Sequence, residues 1–111
     1  KIAVPVKNGE LASHFGHCQE FMFFTVDEES GEVTGSESLA PPPHEPGVLP
    51  RWLAENGAET IIAGGMGRRA QKLFSENGIE VVVGAKVSSP DELVSQYVEG
   101  SLSTGENLCS H

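Results

Sequence analysis

The chain has 111 residues, with seven Lys and Arg against sixteen Asp and Glu, a formal net charge of -9 and a sequence pI near 4.7. That length suits one domain with one core, large enough to fold without disulfides or a structural metal, so a metal here would serve function. The acidity, with Arg68-Arg69 as the one tight basic pair, speaks against a nucleic-acid groove. Two cysteines are too few for a disulfide scaffold, and no apolar run approaches the roughly 20 residues of a membrane span or the core of a signal peptide. The expectation is a cytoplasmic protein with reduced thiols that binds neither nucleic acid nor membrane.

In chain order, "KIAVPV" reads as an apolar strand that ends in the polar loop "KNGE". "SHFGHCQEF", residues 13–21, then places His14, His17 and Cys18 around Phe15 and Gly16. "EFMFFTV" and "GEVTGSESL" are two further strand-like runs, and the "DEESG" between them, with its acids and Gly31, suits a hairpin turn. The first three strands are therefore expected to form a meander, with Phe21, Phe23 and Phe24 as packing residues. Four prolines between Pro41 and Pro46 exclude a helix interior and a central strand, which leaves a stiff surface loop carrying His44.

The second half repeats itself. "LAENGAETIIAGG" at residues 53–65 is echoed by "FSENGIEVVVGA" at residues 74–85, each a helix end, a stop and a continuous apolar strand of the buried parallel kind. Gly57 and Gly78 each follow Asn where a helix needs a left-handed cap. Leu49, Trp52 and Leu53 form one helical stripe, and Ala70, Leu73 and Phe74 form another. Ser89-Pro90-Asp91-Glu92 is a capping box with proline at the first helical position; Leu93, Val94, Tyr97 and Val98 face inward, and Gly100 stops the helix.

The predicted order is thus β-β-β-α-β-α-β-α, a mixed five-stranded sheet with helices on its faces. One α/β domain is expected over residues 1–100, with a mostly polar, flexible tail over residues 101–111. A meander followed by βα units resembles the ribonuclease-H-like three-layer fold. Nucleases of that fold need carboxylates on the first strand to hold metal ions, and "KIAVPVKN" has none, so nuclease or hydrolase activity is not expected.

"GGMGRRA", residues 64–70, has two readings. Gly64, Gly65 and Gly67 at a strand-to-helix junction leave backbone N–H groups free beside Arg68 and Arg69, which makes an anion cradle. The plainer reading is a tight turn with solvated arginines. It is neither a Walker A loop nor a G-x-G-x-x-G fingerprint. Ligands in such sheets gather at the carboxyl ends of parallel strands, and the loop after the first strand is expected to open on the same edge.

Taken together, "KIAVPV", "SHFGHCQEFMFFTVD", the proline loop with His44, "AETIIAGGMGRRA", "FSENGIEVVVGA" and the helix before Gly100 resemble the dinitrogenase iron-molybdenum cofactor biosynthesis family. The specific part is "HFG" after strand one combined with "GGMGRRA" after strand four. The resemblance implies a ribonuclease-H-like fold used as a binder and not as an enzyme. On that reading the protein is a carrier or scaffold for an iron-sulfur or molybdenum-iron-sulfur cluster, which it exchanges with a donor or acceptor protein. Many members have "FGR" and a non-cysteine where this chain has Gly16-His17-Cys18, which puts their ligand set in question here. Some members with Cys at the matching position share the Cys-x-His tail seen as Cys109-Ser110-His111.

Thiolate suits iron, zinc and sulfide-bridged clusters, and imidazole suits the borderline metals among them. Cys18, Cys109, His17 and His111 form a candidate four-ligand set, with His14 and His44 in reserve. The adjacent His17 and Cys18 can share one ion only in a loop, which Gly16 permits. Against this stand plainer roles: a cysteine as a small buried hydrophobe, His14 bonded to its own loop, and His44 exposed. The alternative function is a regulatory or adaptor module that binds a single zinc ion or senses redox state through the same cluster. A monomer or weak homodimer is expected in both cases.

Overall fold

Strand β1, Ile2–Lys7, is buried at every residue but the last, as a strand must be when it has neighbours on both sides and helices on both faces. The computed structural model describes residues 1–12, 19–27, 29–41, 48–85 and 89–100. After β1 come β2 (Glu10–Leu11), β3 (Glu20–Val26), β4 (Val33–Leu39), α1 (Val48–Glu55), β5 (Thr60–Ile62), α2 (Arg68–Glu76), β6 (Glu80–Val82) and α3 (Pro90–Glu99). The sheet order is β4-β3-β1-β5-β6, with β2 paired to β1. β3 runs antiparallel to β1 and β4 to β3, while β5 and β6 continue parallel from β1.

The sheet therefore has six strands rather than the expected five. Asn8 and Gly9 both adopt positive φ, 55° and 81°, and fold the chain straight back so that Val6 pairs with Leu11 and Lys7 with Glu10. That is the left-handed pair of a two-residue hairpin, for which Asn-Gly is the preferred sequence.

Alternation along the strands divides the core in two. Ala3, Phe21, Phe23 and Ile61 face α1 and α2, where they meet Leu49, Leu53, Met66, Phe74 and Ile79. Ile2, Val4, Val6, Phe24 and Ile62 face α3 and its Leu93 and Val94. Trp52, from the predicted α1 stripe, sets its ring edgewise to Phe21 and Phe23 at centroid distances of 5.7 and 5.8 Å, a geometry that adds about 0.5–1.5 kcal/mol per pair to plain burial. Helix ends follow the predicted chemistry. Gly57, Gly78 and Gly100 have φ of 86°, 76° and 76°, and the Ser89 hydroxyl accepts from the Glu92 amide at 3.4 Å.

Coverage of the two faces is uneven, with two helices on one and α3 alone on the other. Ser36 lies across from Phe24 and Ser38 across from Met22, so these exposed hydroxyls share the α3 face of the sheet at its outer edge. The β3–β4 turn is closed by Asp27, whose amide donates to the Glu32 carbonyl at 2.8 Å and whose carbonyl accepts from Gly31 at 2.7 Å. Gly31 has φ 74°, and a Cβ there would stand 3.2 Å from Val98 Cγ1 on α3. Gly31→Ala should therefore cost roughly 1–2 kcal/mol from backbone strain, with Val98 having to shift by a few tenths of an ångström. Gly35→Ala, at an ordinary φ with open space around the new methyl, should cost far less. Urea denaturation of the two variants checks the difference.

Candidate functional site

The carboxyl edge of the parallel strands gathers most of the segments singled out in the sequence. Ala12 donates to the Pro5 carbonyl at 2.9 Å and Gln19 to the Val6 carbonyl at 2.8 Å. The chain thus departs for residues 13–18, and returns from them, at the carboxyl end of β1. β4 ends at Leu39, which pairs with Phe21, and Phe21 pairs with Pro5, so the proline-rich loop also starts on this edge. Beyond β5 and β6, Gly84 donates to the Gly64 carbonyl at 3.0 Å and Ala85 to the Ala63 carbonyl at 3.2 Å, which holds the two βα turns side by side. His14, His17, Cys18 and His44 lie outside the described residues, as do Cys109 and His111.

The "GGMGRRA" turn itself is described throughout. Gly64, Gly65 and Met66 are buried, whereas Gly67, Arg68 and Arg69 are exposed. Gly67 is the N-cap of α2, extended at φ -67° and ψ 157°, and supplies no side chain to bond the first amides. No acid occupies the first turn of α2. Instead the two arginines sit where the helix dipole is already positive, an arrangement that costs stability at a position where Asp, Ser or Glu would add it. Neither guanidinium has an ion-pair partner among the described residues, in a chain of sixteen acids. What the turn gains is a concentration of positive potential, with first-turn amides that no capping side chain bonds, an arrangement suited to an anion.

Gln71 is the residue that sequence reasoning missed. Its Nε2 donates to the Met66 carbonyl at 2.9 Å while its amide donates to Gly67 at 3.1 Å, so one half-buried side chain fixes the turn from inside the helix. No pattern marks it, since an exposed-looking Gln in a helix is ordinary.

α3 carries the chain back to the opposite edge. Tyr97 Oη donates to Glu80 Oε2 at 3.2 Å, Glu80 pairs with Thr60, and Thr60 pairs with Ile2 at the amino end of β1. Burial pushes the Tyr97 phenol above its usual value, with a Thr60 hydrogen bond pulling down and the Glu80 charge adding to the rise. Residues 101–111 thus begin an edge away from the "GGMGRRA" turn. Six strand residues span about 20 Å. Cys109, nine residues beyond Gly100, has a fully extended reach of about 30 Å, so a bridge to the carboxyl edge needs most of it.

Among the described residues, no group of three His, Cys, Asp or Glu is placed to hold a metal ion, and no helix is long and apolar enough to cross a membrane. Comparison with known proteins adds the family. The model for "Dinitrogenase iron-molybdenum cofactor" matches residues 1–100. An uncharacterized protein of Methanocaldococcus jannaschii, MJ0580, is 35% identical over 107 residues, covering 92% of this chain and 88% of its own. The crystal structure of PH0822 superposes with a TM-score of 0.83 at 28% identity, over 94% of this chain and 95% of that one. The apo form of the orange protein from Desulfovibrio gigas superposes with a TM-score of 0.71 at 22% identity, over 96% and 92%, which is a likeness of fold. With the family match spanning residues 1–100 and a relative at 35% identity, the chain belongs to the dinitrogenase iron-molybdenum cofactor family.

Proposed function

We propose that this protein is a cytoplasmic carrier or scaffold that holds an iron-sulfur or molybdenum-iron-sulfur cluster as cargo at the carboxyl edge of its sheet and hands it to a partner protein, without turnover chemistry. The observation that carries the reading is the bare, doubly cationic N-terminus of α2 in a chain of net charge -9. Thiolate-ligated clusters are anionic, and N–H donors and nearby charge govern how firmly they are held. Gly64, Gly65 and Gly67 let cargo approach the backbone, and Arg68 and Arg69 offset its charge.

Covalent ligation falls to Cys18 with His17, from a segment whose two flanks are bonded to the end of β1. His14 and His44 are further ligands from the same edge. Cys109 and His111 are further candidate ligands, within reach of that edge if the tail runs back along the sheet. The family match supports a molybdenum-containing cluster over zinc, because the family is described by that cofactor. A ribonuclease-H-like domain over residues 1–100, with a separate tail, belongs to the same reading.

Anaerobic reconstitution of the full chain with iron, sulfide and molybdate tests it, followed by metal and acid-labile sulfide analysis. The expected result is bound metal with sulfide, lost in Cys18→Ala. Arg68→Glu with Arg69→Glu should weaken retention about tenfold or more, equivalent to about 1.4 kcal/mol. Zinc without sulfide, or loading unchanged by the charge reversal, would contradict the proposal.

Gly67→Asp separates the two demands on the turn. A Cβ there meets nothing within 4 Å, and the backbone already has N-cap geometry. Aspartate should raise stability by several tenths to about 1 kcal/mol through the new cap and the helix dipole. It should also lower cluster retention by placing a carboxylate in the cradle. Thermal melts and sulfide content measured on the same preparation check both signs.

A further inference from the structure

The face of the sheet that α3 covers alone has room beside that helix. α3 rests on β1 and β5 through Leu93 and Val94, against Ile2, Val4 and Ile62. Next to it, over β3 and the start of β4, lies a groove of about 480 Å³. Phe24 and Val33 from the sheet and Val98 from α3 form its apolar part, and Glu32, Asp91 and Glu99 give it three carboxylates. Val33, at 42% exposed, is the one large hydrophobic side chain left exposed among the described residues. Asp91, Val98 and Glu99 recur at helical spacing, so α3 presents a second stripe besides the one buried on β1.

We propose that this groove docks a cationic amphipathic helix of a partner protein, laid beside α3 with apolar residues on Val33 and Val98 and with Lys or Arg against Glu32, Asp91 and Glu99. Asp91 to Glu99 spans about 12 Å of helix, just over two turns, so a helix laid beside α3 meets all three carboxylates while the groove takes its apolar side chains. A docked helix would supply the layer that this face lacks, as α1 and α2 together supply it on the other.

Charge selects the occupant. Residues 101–111 start at Gly100 beside the groove, but they carry Glu106 and neither Lys nor Arg. A second copy of the chain would bring another -9, and its cationic helix α2 has its apolar Phe74 already buried. Nucleic acid and anionic lipid are repelled by the same three carboxylates. A cationic helix from a different protein is the complement that remains. The groove runs along α3 from Asp91 to Glu99 and reaches the amino edge where Gly31 meets Val98. The proposal rests on the groove's own lining and charge and stands whatever the cargo is.

The test titrates the full-length, isotope-labelled chain with a synthetic amphipathic peptide of Leu and Lys at helical spacing, and follows amide shifts. Expected are saturable shifts at Gly31–Val33 and along Ser95–Glu99, with affinity falling about tenfold in Val33→Ser and in Glu32→Lys with Glu99→Lys. Glu10→Lys with Glu76→Lys changes net charge equally at a distance and should leave affinity nearly unchanged. All the substituted side chains are exposed, so the fold should survive, and unchanged melting temperatures verify it. No binding, shifts scattered over the surface, or equal weakening by both charge reversals would overturn the proposal. Shifts at the same residues that grow with protein concentration alone would also overturn it, in favour of a second copy.

Discussion

Everything at the carboxyl edge depends on how β1 is shared between its neighbours. Along one side it pairs with β3 from Ile2↔Phe24 to Val6↔Glu20, and along the other its first residues take β5 while its last take β2. That division lets the amino half of β1 register the parallel βα units while its carboxyl half anchors the flanks of residues 13–18. A slip of one residue would turn Phe21 and Phe23 from the α1–α2 core to the α3 core and separate the flanks from the "GGMGRRA" turn. The burial of Ala3, Val4, Phe21, Phe23 and Phe24 is therefore also what positions the site.

On this frame, α2 begins against the usual rules. A helix that wanted only stability would start with a capping side chain and an early acid, as α3 does with Ser89, Asp91 and Glu92. α2 starts with Gly67, Arg68 and Arg69, although it follows the same kind of strand in the same internal repeat. By starting this way α2 forgoes a few tenths to about 1 kcal/mol, small against burial of its Phe74. Local departures from consistency of this sort cluster where a protein binds something.

Much of this was legible in advance, and the reasons are specific. Helices α1, α2 and α3 announced themselves by stripe, cap and glycine stop, and β5 and β6 by apolar runs after Asn-Gly. The hairpin of β2 escaped because Asn8-Gly9 is followed by only two residues of pairing, too short for any periodicity to register. Gly64, Gly65, Gly67, Arg68 and Arg69 were legible as a cluster because turn glycines and paired arginines are adjacent in sequence. Gln71 was not, since its bond to the Met66 carbonyl exists only once the turn has folded back on the helix. The distance between the tail and the edge was hidden for a similar reason. It depends on the direction in which α3 runs across the sheet, which Tyr97 and Val98 fix through contacts more than fifteen residues away in sequence.

The central claim is that the turn before α2, with its neighbour at Gly84, is where an anionic sulfur-containing cargo rests. Titrating the full chain with a thiomolybdate anion while following backbone amide shifts tests it most directly. The account predicts saturable shifts concentrated at residues 64–70 and at Gly84 and Ala85, weakened by added salt. Shifts absent there, or largest along α3 and the β3–β4 turn, would contradict it.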